Sequence, residues 1–210
     1  LAEFDLDLVE RTTGVPRDKI IKAAWIYATQ TPASIIYCMG ITQHVHGTDN
    51  VLATSNLALL TGNIGKPSSG VNPLRGQNNV QGACDMGSLP NVYPGYQAVT
   101  SPEAKAKFES AWGVELSDRP GLTHTEIFDA CHEGNISALY LVGENPVLSE
   151  ANANHAIESM KEVDFLVVQD IFMTETAELA DVVLPAVTFA EKDGTFTNTE
   201  RRVQRVRKAD

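Results

Sequence analysis

The stretch from Val71 to Gly87 holds one cation, Arg75, among glycine and amide residues. Amide side chains and glycine backbone can line a polar cavity without adding net charge, and the planar guanidinium of an arginine matches a carboxylate or a phosphate. Arg75 could therefore orient a small anion through charge-assisted hydrogen bonds. An ion pair between Arg75 and Asp85 explains the composition equally well.

Small and polar residues also follow three predicted strands. In open parallel sheets, ligands bind outside the carboxyl ends of the strands. Glycine allows close backbone approach, carboxylates accept from guanine or from ribose hydroxyls, and amide side chains both donate and accept. Each residue alone is typical of an ordinary loop or cap, but three such ends in one sheet favour a ligand. They are Gly40 with Gln43, then Gly143, Glu144 and Asn145, then Gln169 and Asp170.

Other candidate chemistry is weaker. His44 and His46 lie two residues apart, so on a helix their side chains point in different directions, and we predict no metal ligand. Cys84 has no base beside it in sequence and is predicted to be a buried structural cysteine. The chain has neither a GxGxxG stretch after a strand nor a P-loop, so binding of NAD or ATP is not supported.

The predicted elements that position these residues alternate between strands and helices. Strands at 34–38, 137–142, 164–169 and 181–184 are separated by helical segments, one of which begins at a capping box formed by Thr123 and Glu126. This order predicts an α/β fold: a doubly wound, mainly parallel, Rossmann-like sheet with helices on both faces. We predict one domain over 1–210, with a long polar Gly/Asn/Gln-rich loop at 65–95 and an inserted helical segment at 99–122.

Composition excludes several classes of protein. The 210 residues carry a net charge of −11, which opposes binding to nucleic acid. The apolar runs are far shorter than the roughly 20 residues that a membrane helix needs, so no membrane insertion is expected. Three cysteines without CxxC spacing favour a reducing compartment, the cytoplasm. Because the chain opens at Leu1 without a methionine, we expect an internal fragment of a longer subunit.

Six runs of residues resemble one known family, the molybdopterin oxidoreductases, and within it the catalytic alpha subunits of formate dehydrogenases. The resemblance spans essentially all 210 residues, and the segment from Arg75 to Gly87 is specific to the formate-oxidising branch. The runs are 39–44, 60–65, 70–87, 168–172, 180–185 and 197–202.

This resemblance implies a bis(molybdopterin guanine dinucleotide) cofactor with molybdenum or tungsten, of which this domain would hold one dinucleotide. It implies that Gly40 and Gln43 lie along the pterin and pyrophosphate, that Gly76 and Gln77 lie next to the pterin, and that Arg75 is the catalytic residue that orients formate beside the metal. The residues implied around the guanosine end are Gly143, Glu144, Asn145, Ser149, Gln169, Asp170 and Asp181.

The implied activity is oxidation of formate to carbon dioxide, with the remaining domains of the same subunit and electron-transfer subunits as partners. The family's 4Fe-4S segment, its metal-ligating cysteine or selenocysteine and its C-terminal domain are not in this sequence, so we expect the fragment alone to be inactive. Two alternatives stay open: a non-catalytic domain of a respiratory or electron-transfer subunit, and a relative acting on another oxyanion such as nitrate. The Arg75–Asn78 stretch disfavours the second of these.

Overall fold

Residues 5–209 are described by the structure, a computed structural model. They divide into two units, the first ending at Asn78 and the second beginning at Asn79. The prediction of one domain over 1–210 therefore stays a prediction, and each unit is described by itself. Every helix among the described residues is too short or too polar to cross a membrane.

The first unit combines helices with one pair of parallel strands. Its first helix begins where the Asp5 carboxylate accepts a hydrogen bond from the Leu8 amide (2.7 Å), and it ends at Gly14, whose φ of +69° suits glycine. The two strands pair in register from Ser34 opposite Gly70 to Tyr37 opposite Pro73. The elements are α1 (Leu6–Thr13), α2 (Arg17–Thr29), β1 (Ser34–Tyr37), α3 (Met39–Thr42), α4 (Gly47–Leu60) and β2 (Gly70–Pro73).

A fully buried amide, Asn63, joins three segments of this first unit. Its Oδ1 accepts from the Ala33 amide (3.0 Å), and its Nδ2 donates to the Tyr27 carbonyl (3.1 Å) and to Thr61 Oγ1 (3.2 Å). These bonds tie the residues that follow α4 to the last turn of α2 and to the segment between α2 and β1. Few side chains of this unit are fully buried, and Trp25 on α2 is 65% exposed.

The second unit is built around a parallel three-stranded sheet with the order β5-β6-β7. Short 3-10 turns at Ala177–Leu179 and Phe189–Glu191 flank β7. The elements are α5 (Val80–Asp85), β3 (Val92–Tyr93), β4 (Gln97–Ala98), α6 (Pro102–Trp112), α7 (His124–His132), β5 (Ala138–Val142), α8 (Pro146–Ser149), α9 (Ala153–Glu162), β6 (Phe165–Asp170), β7 (Val182–Pro185), β8 (Gly194–Thr197) and β9 (Val203–Val206).

Helices α7 and α9 pack on one face of this sheet. Leu166 and Val168 of β6 are almost completely buried against Phe128 of α7 and Met160 of α9. The predicted capping box is confirmed, because the Glu126 carboxylate accepts from both the amide (2.7 Å) and the hydroxyl (2.6 Å) of the residue that precedes α7. The sheet core is therefore one-sided.

A second, smaller core lies around α6. Tyr93 stacks on Phe108 with ring centroids 4.9 Å apart, and Trp112 packs on Phe108 at the same centroid distance. The Tyr93 hydroxyl donates to the Ser117 carbonyl (2.9 Å). A helix thus lies within 99–122, as expected, and its status as an insertion stays a prediction.

The predicted fold class is confirmed at the level of a mixed α/β protein with parallel strands. Residues 5–209 form separate parallel sheets of two and three strands and two antiparallel pairs, not one continuous sheet. The outward face of the three-stranded sheet leaves Tyr140, Val142 and Leu184 exposed by 54%, 63% and 41%. Alternation along each strand defined the faces, but it does not specify which strands pair or what covers each face.

The prediction of a continuous loop over 65–95 was wrong. Strand β2, helix α5 and strand β3 all lie inside this range. Each is only two to six residues long, shorter than the window of about 11 residues in which periodicity becomes legible. Helix α5 also buries Cys84, which confirms that this cysteine is buried.

The Asn63 amide gives a test of the first unit. We expect Asn63→Leu, which keeps the volume but leaves the Ala33 amide and the Tyr27 carbonyl unpaired, to lower the free energy of unfolding by about 2 to 4 kcal/mol. Urea unfolding of the 210-residue chain measures the change. Asn135→Ala, at an exposed amide, should change it by less than about 0.5 kcal/mol. Equal effects of the two variants would contradict the role of Asn63.

Candidate functional site

In the first unit, parallel pairing brings two of the predicted segments to the same edge. Strands β1 and β2 end side by side at Tyr37 and Pro73, and the Leu74 amide extends the pairing by donating to the Tyr37 carbonyl (2.8 Å). The chain after β1 forms α3, while the chain after β2 carries Arg75. The carboxyl ends of parallel strands thus supply both segments, as expected for a ligand edge.

The residues that follow β1 and β2 approach each other closely. A Cβ atom added to Gly76 would lie 3.2 Å from Met39 Cε, at the first residue of α3. Gly40 lies inside α3 with nothing within 4 Å of an added Cβ, so a ligand can approach its backbone. The Gln43 amide ends the helix by donating to the Met39 carbonyl (2.8 Å). Arg75 and Gln77 are exposed on the neighbouring segment.

The sequence left open an ion pair between Arg75 and Asp85 as an alternative to a ligand site. The Asp85 carboxylate accepts at Oδ1 from Gln81 Nε2 (2.9 Å) and at Oδ2 from Thr197 Oγ1 (2.9 Å). These bonds give Asp85 a structural use within the second unit. His44, considered earlier as a metal ligand, has its Nε2 2.9 Å from the Gly40 carbonyl oxygen.

In the second unit, the carboxyl edge of the sheet brings together three predicted site residues. Gly143 directly follows β5, and its amide donates to the carbonyl of Gln169, near the end of β6 (2.9 Å). Gly143 has φ +64°, with nothing within 4 Å of an added Cβ. Asp170 ends β6, and its Oδ1 accepts from the amides of Ile171 (2.6 Å) and Phe172 (3.4 Å). The edge therefore offers open backbone flanked by polar side chains.

The next loop adds a carboxylate held in place by a hydroxyl. Ser149 Oγ donates to Glu144 Oε1 (2.6 Å), so these two predicted residues act as a pair across α8. The Gln169 amide carbonyl is similarly engaged by the Tyr140 hydroxyl of the neighbouring strand. A carboxylate has about four acceptor positions, so Glu144 keeps acceptor capacity beyond this bond.

Asn145 has a structural use that the sequence did not indicate. Its Oδ1 accepts from Thr176 Oγ1 (2.6 Å) and from the Thr176 amide (3.3 Å), and its Nδ2 donates to Glu175 Oε2 (2.9 Å). Thr176 is fully buried and also accepts from the Val147 amide (3.2 Å). Sequence analysis missed Glu175 and Thr176, although both lie in the loop that follows β6 and so return to the same edge.

Asp181 lies at the opposite edge of this sheet. It precedes β7, and its Oδ2 accepts from the Leu166 amide (2.7 Å) near the start of β6. Leu166 and Asp170, which mark the two edges on β6, are four residues apart, which corresponds to about 13 Å at 3.3 Å per residue. The structure therefore does not bring Asp181 to Gly143 and Asp170.

The edge is rich in acceptors and in acidic groups. Asp170 is the last residue of β6, and Glu144 and Glu175 lie in the segments that leave the edge. The hydrogen bond from Asn145, followed by one from its own backbone, holds the pKa of Glu175 below its usual value of 4.5. Such an edge suits the N–H and O–H donors of a base or a sugar better than it suits a phosphate.

Comparison with known proteins identifies the family of this chain. The family model described as molybdopterin oxidoreductase matches residues 17–209. The chain belongs to the molybdopterin oxidoreductase family. The family implies a molybdopterin cofactor, and the open glycine backbone beside polar side chains at the strand ends within each unit suits polar groups of such a cofactor.

Three relatives of this family member carry names that mention formate. It is 56% identical over 209 residues to the F420-dependent formate dehydrogenase subunit alpha of Methanocaldococcus jannaschii, covering 100% of this chain and 31% of that protein. It is 51% identical over 209 residues to the putative formate dehydrogenase YrhE of Bacillus subtilis, covering 100% and 21%. It is 46% identical over 202 residues to formate dehydrogenase H of Escherichia coli, covering 96% and 28%. The chain spans less than a third of the length of these relatives.

A solved structure supports the fold. The acetylene hydratase of Pelobacter acetylenicus superimposes with a TM-score of 0.65 at 23% sequence identity, covering 94% of this chain and 29% of that one. At this identity, the likeness concerns the fold alone.

The Glu175–Asn145 bond predicts a pH dependence of stability. A carboxyl with a lowered folded pKa contributes stability above its unfolded pKa, here about 4.5, and loses it as the pH falls through the lowered value. We therefore expect Glu175→Gln to lose less stability than the wild type between about pH 7 and about pH 3. Urea unfolding at both pH values measures the difference.

The control for this prediction is a double-mutant cycle. In an Asn145→Ala background the donor is gone, so Glu175→Gln should change the pH dependence much less. Identical pH profiles for the wild type and Glu175→Gln would contradict the assigned bond.

Proposed function

We propose that this chain is the part of a molybdenum-dependent formate dehydrogenase that holds one dinucleotide of a bis(molybdopterin guanine dinucleotide) cofactor. The observation that carries the proposal is an identity of 46% to 56%, over nearly the whole chain, to relatives named formate dehydrogenases. The complete reaction requires the rest of the longer subunit, so the fragment alone is expected to be inactive.

We assign the guanosine end of the dinucleotide to the carboxyl edge of β5 and β6. Guanine presents N–H donors at N1 and N2, and ribose presents hydroxyls, so this end needs acceptors and close backbone approach. The acceptors come from Glu144, held by Ser149, and from Asp170, while Gly143 leaves the edge open. The side-chain oxygens of Asn145 and Gln169 already accept from Thr176 and Tyr140, so these two residues join the set through their NH₂ donors. Asp181 is left out, because it lies at the other edge.

We assign pterin and pyrophosphate groups of the bis(molybdopterin guanine dinucleotide) cofactor to the edge of β1 and β2, a site within the first unit. Gly40 and Gln43 on one segment, and Gly76 and Gln77 on the other, offer backbone and amide groups without negative charge. Neutral donors can bind a pyrophosphate without the cost of burying an unpaired cation.

Arg75 is proposed to orient formate. Its guanidinium can donate two parallel hydrogen bonds to a carboxylate, which fixes the direction of the formate C–H bond. When bound, the cofactor would supply the centre that takes up the hydrogen of the broken formate C–H bond, as a hydride or as a proton with two electrons, so that carbon dioxide is released. The protein contributes orientation and electrostatic stabilisation through Arg75.

Further parts of the proposal concern the intact protein. Four further properties of the intact protein stay predictions: molybdenum or tungsten at the metal site, a 4Fe-4S cluster, electron-transfer subunits as partners and a cytoplasmic location. The Rossmann-like, doubly wound arrangement stays a prediction as well.

Elemental analysis of the full-length subunit tests catalysis against the purely structural alternative: about one molybdenum or tungsten per chain supports catalysis, and none contradicts it.

The role of Arg75 has a direct test in the full-length subunit. Arg75→Ala should lower kcat/KM for formate by about a hundredfold or more, the scale seen when one preorganised donor to an anion is removed. Arg75→Lys keeps the charge but lacks the planar fork, so its loss should be partial. Molybdenum content should stay near that of the wild type in both variants.

Arg119→Ala, at an exposed arginine of the second unit, is the matched control and should leave formate oxidation unchanged. Turnover of Arg75→Ala at the wild-type rate would remove Arg75 from the proposed site.

A further inference from the structure

The segment that carries Arg75, Gly76 and Gln77 ends at a residue with an unusual backbone conformation. Asn79 has φ +61° and ψ +21°, the left-handed region, immediately before α5. Side chains other than glycine adopt this region at an energetic cost, although asparagine tolerates it best. Such a conformation persists only where the surroundings hold it, and residues of this kind are concentrated at functional sites.

Strand β8 holds the Asn79 side chain from the far end of the sequence. Asn79 Oδ1 accepts from the Thr197 amide (3.0 Å), and Asn79 Nδ2 donates to the Thr195 carbonyl (3.4 Å). The amide thus fills the place of a neighbouring backbone, bonding alternate residues of β8 across more than a hundred residues of sequence. A one-residue shift of β8 would break both bonds.

The other end of α5 is joined to the same strand. Thr197 Oγ1 donates to Asp85 Oδ2 (2.9 Å), and Asp85 Oδ1 accepts from Gln81 Nε2 (2.9 Å). Asn79, which precedes α5, and Asp85, its last residue, are therefore both bonded to β8. This restricts rotation of the short helix against the strand.

A glycine leaves room for the Asn79 amide. A Cβ added to Gly82 would lie 2.1 Å from Asn79 Oδ1 and 2.9 Å from its Cγ, which is too close for the amide to stay in place. The backbone conformation of Gly82 is helical and suits any residue, so packing against Asn79 is what requires the missing side chain.

We propose that Asn79 is a positioning residue for Arg75, acting through a set of contacts that we call the Asn79 anchor: Asn79, Gly82, Asp85, Thr195 and Thr197. The inference rests on the proposed function of Arg75. The anchor fixes the direction in which the backbone leaves the Arg75–Gln77 segment, and it touches neither formate nor the cofactor. Because orientation of formate depends on the guanidinium position to a fraction of an ångström, loosening the backbone four residues away misplaces it.

The test uses the full-length, cofactor-loaded enzyme and two variants that disturb the anchor differently. Asn79→Gly keeps the left-handed backbone accessible but removes both bonds to β8. Gly82→Ala removes no hydrogen-bonding group and displaces the Asn79 amide by crowding. Asn79→Asp keeps an oxygen for the Thr197 amide and is the conservative variant. Gly121→Ala, where an added Cβ meets ordinary contacts at 3.5 Å, is the matched control for an added methyl group.

Two quantities are measured for each variant. Hydrogen–deuterium exchange of the amides at 75–79 reports on the anchor, and kcat/KM for formate per bound molybdenum reports on Arg75. Asn79→Gly and Gly82→Ala should both speed the exchange and lower kcat/KM by about tenfold to a hundredfold, the effect expected of a misplacement near 1 Å. Asn79→Asp should recover most of both properties, and Gly121→Ala should match the wild type.

The outcomes separate the inference from the proposed function. Wild-type exchange at 75–79 in both Asn79→Gly and Gly82→Ala would overturn the anchor. Faster exchange with unchanged kcat/KM would show that the contacts hold the segment but would overturn the role of Asn79 in positioning Arg75, whereas the assignment of formate to Arg75 is overturned only by wild-type turnover of Arg75→Ala. Faster exchange in Gly121→Ala as well would mean that any added methyl group loosens the segment, which also overturns the anchor.

Discussion

Parallel pairing of short strands is the constraint on which the candidate site depends. Because strands that run in the same direction end at the same edge, the chain after β5 and the chain after β6 meet there, and hydrogen bonds from Asn145 to Glu175 and from Thr176 to Asn145 then join the two loops. The Gly143 amide completes this arrangement by continuing the hydrogen-bond ladder onto the Gln169 carbonyl. The same geometry in the first unit places α3 beside the segment that carries Arg75.

Much of the edge was predictable from sequence, because strand ends are legible as apolar runs that stop at glycine or polar residues. Gly143 and Asp170 were found this way, as was the capping box before α7. The Asn145–Thr176 contact was not, because it joins residues 31 apart whose types are ordinary in loops. Asp181 was assigned to the guanosine end only through the family resemblance. In the structure, its carboxylate accepts from the Leu166 backbone amide at the other end of the sheet instead.

The prediction of a loop over 65–95 was wrong for a different reason. Its elements are short and are stabilised by partners far away in sequence: β2 by β1, and α5 by β8. Local propensity cannot specify such elements, and tertiary contacts override it. The residues with the most unusual composition are thus ordered by contacts with residues 36 to 118 positions away in sequence.

The protein has two tryptophans, and one lies in each structural unit. Trp25 is 65% exposed on α2, and Trp112 at the end of α6 is 50% exposed and packs its ring on Phe108. Indole emission depends on the surroundings of the ring, so each tryptophan reports on the unit in which it lies. Replacing either ring by phenylalanine leaves a spectrum from the other alone, and each half of the chain can then be followed optically without attaching a dye.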